Sequence, residues 1–161
     1  MAAAGNNNGG VEDAHTVCVA RWPGHIEPGT SDGMMHVTDW FPTLLEIAGA
    51  KAPETTDGES LLPLLRGEGE LERQCLFFHY PNYAFHRSNR LGGAIRAGRY
   101  KLIERFDDGS VELFDLQEDL GEQRDLAADR PALAADLRAL ASDNGIGVQG
   151  MRSNWSMATR P

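Results

Sequence analysis

Residues 93–116, GAIRAGRYKLIERFDDGSVELFDL, leave little choice of architecture. Short stretches mixing apolar and charged residues are broken at Ala97-Gly98 and at Asp108-Gly109, intervals that suit chain reversals and are too short for a crossover. The stretch therefore reads as three strands in succession, each hairpinned to the next. A further apolar run, CLFFHY at 75–80, has the length and residue types of a strand. Together these predict an antiparallel sheet of about four strands.

A helix is expected behind that sheet. In DLGEQRDLAADRPALAADLRALASDNG, Asp129 is placed to cap, Pro131 suits a first turn, and Leu133, Leu137 and Leu140 mark a buried face. Sheet plus helix make a compact α+β unit. The first third of the chain does not belong inside it. TVCVA at 16–20 is a short β-rich run with little alternation, the pattern of a strand covered on both faces. The loop PGHIEPGTSDG follows, then HVTDWFPTLLEIAGA, where Val37, Phe41, Leu44, Leu45 and Ala48 share one helical face. Thr38 or Asp39 can cap this helix and Gly49 can end it. DGESLLPLLRG predicts a brief helix after Ser60, closed by Gly67. A strand buried on both sides with one attached helix is the last piece of a larger α/β sheet. The expected organisation is a disordered segment at 1–15, the large-sheet remnant at 16–70, the antiparallel subdomain at 71–145 and a flexible tail at 146–161.

Charge and cysteine usage narrow the function. Lys and Arg total 15 against 24 Asp and Glu, a formal charge of -9, which repels a polyphosphate and argues against nucleic acid as a partner. No apolar stretch approaches the ~20 residues of a membrane span, and MAAAGNNNGGVEDAHT lacks the basic end and apolar centre of a signal peptide. Two cysteines, Cys18 and Cys75, make no disulfide framework and no zinc spacing.

The order of motifs resembles the C-terminal portion of the sulfatase family, within the alkaline-phosphatase-like superfamily. The residues carrying the resemblance are RWPG at 21–24, PGT and SD within 28–32, TDWFPTLLEIAG at 38–49 and DGESLLPLLRG at 57–67. FFHYPNY at 77–83, GAIRAGRYKLIE at 93–104 and ELFDLQEDLGEQRDLA at 112–127 complete it. The resemblance implies the last strand and helix of a large mixed α/β sheet, followed by a small four-stranded antiparallel sheet packed with a C-terminal helix. It also implies hydrolysis of sulfate esters, with a cysteine oxidised to formylglycine, a calcium ion, and Lys, His and Arg around the sulfate. Fixed positive charge and an aldehyde-hydrate nucleophile are what such a reaction needs near neutral pH. Family members are often secreted, periplasmic or lysosomal.

Those parts lie upstream in the family. The modified cysteine sits in C-x-P-x-R or C-x-A-x-R, with arginine four positions on. Here Arg21 follows Cys18 at three, so Cys18 reads as a buried strand thiol, and Cys75 likewise as core. No lysine precedes Lys51, which leaves the family's sulfate-touching lysine without a counterpart. Leu120 stands where an Asp-Pro-Gly turn has proline, and the loop from Gly29 to Asp32 is about a residue short. No catalytic residue and no metal ligand is therefore expected in this chain, and calcium and formylglycine are expected only in a full-length member.

Three residues are candidates for substrate contact: His79, Asn82 and Tyr83, at and just after the end of the 75–80 strand, where binding residues gather on loops. A histidine satisfied by backbone at a strand end is the competing reading of His79. His36 and Asp39, three apart, could share a helical face as ligands, but Asp39 reads first as an N-cap. Asp115, Glu118, Asp119, Glu122 and Asp125 lack the periodicity of a calcium loop and read as a solvated turn. Arg96 and Lys101 read as exposed sheet charges. The function expected is that of the C-terminal part of a sulfatase, inactive alone. The alternatives are a non-catalytic module binding sulfated or other anionic glycans, and a half that complements a separate N-terminal sulfatase portion.

Overall fold

The computed structural model describes residues 18–80 and 90–146, and the chain divides into two compact units, Val17–Leu76 and the residues from Phe77 onward. The expected disordered start and flexible tail lie outside the described residues.

In the first unit a 3₁₀ turn, Val37–Asp39, runs into α1 (Trp40–Ile47), and α2 (Leu62–Arg66) follows. The entry to α1 is a capping box: the His36 N–H donates to Asp39 Oδ2 at 2.6 Å, and the His36 ring accepts from the Thr38 N–H. Gly49 and Gly67, at φ +73° and +69°, close α1 and α2 in the left-handed conformation that glycine adopts without a Cβ penalty.

The TDWFPT and DGES motifs meet here. Fully buried Asp39 accepts from the Glu59 N–H at 2.9 Å and from Arg73 Nη1 at 2.7 Å, while Arg73 Nη2 bonds its other oxygen. Thr43 Oγ1 donates to the Asp39 carbonyl at 2.6 Å and accepts from the Leu61 N–H at 2.8 Å. Gly58 is required because a Cβ would run into the Thr38 carbonyl. Glu59 in turn accepts from the Glu72 and Arg73 N–H groups. A buried carboxylate is tolerable only when its lone pairs are met, and here they are.

This clasp corrects two expectations. The expected buried face of α1 points outward: Val37, Phe41 and Leu44 are 71%, 54% and 59% exposed, while Asp39, Pro42 and Thr43 are buried. Desolvating an ion pair and then breaking it costs more than one exposed leucine, so the hydrogen bonds of Asp39 and Thr43 set the rotation of the helix. The second correction is at 16–20. Its described residues, 18–20, carry no strand, and Cys18 and Val19 are exposed. A strand buried on both faces exists only between neighbouring strands, and among the described residues it has none.

The second unit carries the sheet, β1 (Cys75–Tyr80), β2 (Gly92–Ala97), β3 (Tyr100–Arg105) and β4 (Val111–Asp115), in the order β1-β2-β3-β4. Ala97 pairs with Tyr100 across β2 and β3, and Leu102 with Leu113 across β3 and β4, both antiparallel. Gly98, at φ +54°, opens the two-residue β2–β3 turn, where a tight hairpin requires a left-handed residue. Alternation puts Ile95, Leu102 and Leu113, all fully buried, on the face whose Glu104 pairs with Arg138 of α3 (Pro131–Asp143). The opposite face holds Ala94, Ile103, Phe114 and Leu116, with Phe78 and Tyr80 against them. Each of these larger side chains contributes about 1.5–3 kcal/mol on burial.

Helix α3 differs in detail from its sequence reading. Arg130 rather than Asp129 occupies the cap position, and Asp129 pairs with Arg124 at 3.0 Å. Ala134, Leu137 and Ala141 are the buried stripe, with Leu140 38% exposed. Alanines allow close approach to the sheet, and the Arg138–Glu104 bond at 2.6 Å holds that rotation.

Burial works to raise the Asp39 pKa, but the Arg73 hydrogen bond and the N–H groups of Glu59 and His36 outweigh it and hold the carboxyl below its ordinary 3.8. The stability this group lends is complete above pH 3.8 and is lost as pH falls below that value through the depressed pKa. Acid titration followed by Trp40 fluorescence should show that step, and Asp39→Asn should abolish it while costing about 3 kcal/mol at neutral pH by leaving Arg73 unpaired. An unchanged acid transition in the variant would contradict the clasp.

Candidate functional site

The segment between Tyr80 and Arg90 contains two of the three candidate contacts. Asn82 and Tyr83 lie outside the described residues; the two ends that hold the segment do not. On one side stands β1, whose last residues are His79 and Tyr80. On the other, Arg90 forks onto Asp107 at 3.0 and 2.8 Å and reaches Asp108 at 2.6 Å. Hydrogen bonds from Ser110, then Arg90, push the Asp108 carboxyl down to about 2. These charge-assisted bonds fix where the segment rejoins β2.

His79 is exposed, with its ring against Phe106 at a centroid distance of 5.4 Å. Partial desolvation there lowers its pKa below 6.5, so the imidazole is neutral at pH 7. A neutral ring can donate one N–H to an anionic oxygen but supplies no fixed positive charge. Gly93 lies beside this ring pair, and a Cβ there would press on Phe106 at 3.0 Å and on Ile146. The structure thus sets the His79 ring against Phe106 and brings it to the same end of the sheet as the Arg90 anchor.

The other candidates have structural partners. His36 and Asp39 are the capping box described above. The acidic set is a hydrogen-bonded turn: Asp119 Oδ2 accepts from the Gln123 and Arg124 N–H groups at 2.7 Å each, and Asp125 Oδ1 from Leu113 at 3.0 Å and Ala127 at 2.8 Å. Asp115 pairs with Arg99 at 2.7 Å. Glu122, in the left-handed region at φ +52°, holds Lys101 Nζ at 2.7 and 3.0 Å. Lys101 is fully buried, not an exposed sheet charge. Its registered neighbour Arg96 is half-buried, and Arg96 Nε is a buried atom with no hydrogen-bond partner among the described residues. Sequence reasoning missed this; an arginine and a lysine on facing positions of the β2–β3 hairpin were the available signal.

The calcium and formylglycine that the resemblance implies for a full-length member find no fitting set among the described residues. Among the described residues no three His, Cys, Asp or Glu side chains converge as a metal site. Cys18 is an exposed thiol without the arginine spacing, and burial raises the Cys75 thiol pKa, which keeps it a protonated, unreactive group. Among the described residues no helix is long and apolar enough to cross a membrane.

A titration of the His79 ring by NMR should give a midpoint below 6.5 that moves up toward 6.5 in Phe106→Ala. A midpoint unmoved by that substitution would remove Phe106 as the cause.

Comparison with known proteins adds the whole that this part belongs to. Residues 11–140 match the family model described as N-sulphoglucosamine sulphohydrolase, C-terminal. A sulfatase of Formosa agariphila is 34% identical over 149 residues, covering 84% of this chain and 27% of that protein. Human arylsulfatase A is 42% identical over 106 residues, 64% of this chain and 19% of that protein. A solved structure in complex with its substrate D-glucosamine-2-N,6-O-disulfate superposes with a TM-score of 0.57 at 28% identity, over 66% of this chain and 23% of that one. The chain spans about a quarter of the length of the curated relatives it matches. With its four-stranded sheet, its terminal helix and these likenesses, the chain belongs to the sulfatase family, as the C-terminal region of that fold.

Proposed function

We propose that these 161 residues serve a sulfatase as its C-terminal support and pocket rim, and hydrolyse no sulfate ester by themselves. The observation that carries this reading is that the chain matches a C-terminal family model and covers 27% and 26% of the two first relatives. The chemistry of the residues points the same way. Sulfate ester cleavage needs a nucleophile and fixed positive charge at the developing oxyanions. His79 is neutral at pH 7, Lys101 is tied to Glu122, and the two thiols are unsuited to the role. The N-terminal sulfatase portion, with its calcium and formylglycine, is the partner that completes the reaction.

Within that arrangement the rim role falls to His79, Asn82 and Tyr83. His79 at the end of β1 offers a neutral imidazole, and the sequence just after it adds an amide and a phenol, groups that hydrogen-bond sugar hydroxyls and sulfate oxygens without demanding a full counter-charge. The substrate class is a sulfated sugar, in keeping with the disulfated glucosamine bound by the solved relative.

The purified chain should turn over no 4-nitrophenyl sulfate above buffer; turnover that chelation abolishes would overturn the reading. Added D-glucosamine-2-N,6-O-disulfate should shift the His79 ring resonances more than glucosamine does, and Tyr83→Ala should reduce the difference. Equal shifts from both sugars would contradict the rim role.

A further inference from the structure

On one face of the sheet a guanidinium is left without an acid of its own. Arg96 in β2 and Lys101 in β3 stand directly opposite in register, on the side that carries Ala94 and Ile103. Like charges at facing positions repel. Glu122 answers one of them: its oxygens take Lys101 Nζ at 2.7 and 3.0 Å, from a backbone at φ +52° that such a residue seldom adopts. The Lys101 and Glu122 side chains are 1% and 13% exposed, so bulk water and salt screen them little from Arg96. Arg96 feels the charge of Glu122, but no carboxylate is hydrogen-bonded to it, and its buried Nε has no partner among the described residues. Four other arginines of this unit, Arg90, Arg99, Arg105 and Arg138, each use Nε together with Nη2 on one carboxylate. Arg96 departs from that pattern at its most buried nitrogen, and a buried donor calls for an acceptor.

We propose that Arg96, beside Lys101, holds a small tetrahedral oxyanion, sulfate or phosphate, on this face of the sheet. The edge of a guanidinium that carries Nε and one terminal nitrogen matches two oxygens of such an ion, the same fork that the other four arginines make with carboxylates. A water could accept from Nε but would leave the positive charge unanswered. The chain as a whole, at -9, does not gather anions, so the affinity comes from this cluster. The site lies at the Gly98 end of β2, three residues along from Gly93 and the His79–Phe106 rings. It is separate from the proposed rim and does not depend on that reading.

The test is an NMR titration of the full 161-residue chain at constant ionic strength, read at the Arg96 Nε–H, with sodium sulfate, sodium phosphate and sodium acetate as separate probes. Sulfate or phosphate should move this resonance saturably with a midpoint of about 10 mM or tighter, while the Nε–H of exposed Arg66 drifts without saturating. Saturation by either ion supports the site, and the tighter of the two is its ion. Acetate, with a single charge, should bind at least about tenfold more weakly. Arg96→Lys keeps the charge and loses the fork, and should raise the midpoint read at the Lys101 amide at least about fivefold. With the ion at about ten times its midpoint, exchange of the β2 and β3 amides should slow about tenfold in the unaltered chain and no more than about threefold in Arg96→Lys. An Arg96 resonance that drifts as Arg66 does overturns the site, and no substitution is needed to see it. An acetate midpoint equal to that of sulfate and phosphate overturns the tetrahedral occupant, and an unchanged midpoint in Arg96→Lys overturns the fork.

Discussion

One buried carboxylate decides how the first unit is built. Asp39 has no exposed surface and takes hydrogen bonds from two backbone N–H groups and from both terminal nitrogens of Arg73. Because an unpaired carboxylate in that position would cost several kcal/mol, the chain around it has one arrangement. Residues 58–61 lie against the entry of α1, and the stretch near Arg73 closes over it. The apolar side of the helix is then left outside. Polar satisfaction, rather than apolar burial, orients this element, and the exposed stripe follows from it.

The sheet unit is governed by the opposite balance. Its order comes from apolar alternation on two faces, with Ile95, Leu102 and Leu113 toward α3 and Ala94, Ile103 and Phe114 away from it. Charged groups are admitted where they bind an element in place: Arg138 to Glu104, Lys101 to Glu122, Arg90 to Asp107 and Asp108. The last of these stands beside the segment that follows β1. A stable sheet with an arginine clamp at one end is the kind of rigid base from which recognition residues work best.

The sheet was legible in the sequence because its signals are local. Strand length, the Gly98 turn and the Asp108-Gly109 turn need no knowledge of the rest of the fold, and β1 to β4 lie where the pattern puts them. The brief helix closed by Gly67 was legible for the same reason. The rotation of α1 was not, because it depends on Arg73 and Glu59, 34 and 20 residues away from Asp39, and a helical stripe carries no mark of whether it faces its own core or a partner. Of the strand expected at 16–20, the described residues 18–20 carry none, for a related reason: they state a preference that only neighbouring strands can satisfy. At the site, His79 was placed at a strand end, but its contact with Phe106, from beyond the end of β3, comes only through the register of the sheet.

Hydrogen exchange of the α1 amides, compared between the unaltered chain and Asp39→Asn, tests the central claim most directly. The account predicts that exchange over Trp40–Ile47 quickens by at least about tenfold in the variant, while the β3 amides keep their rates. Equal exchange from α1 in both would contradict it, because the carboxylate would then have no part in holding the helix.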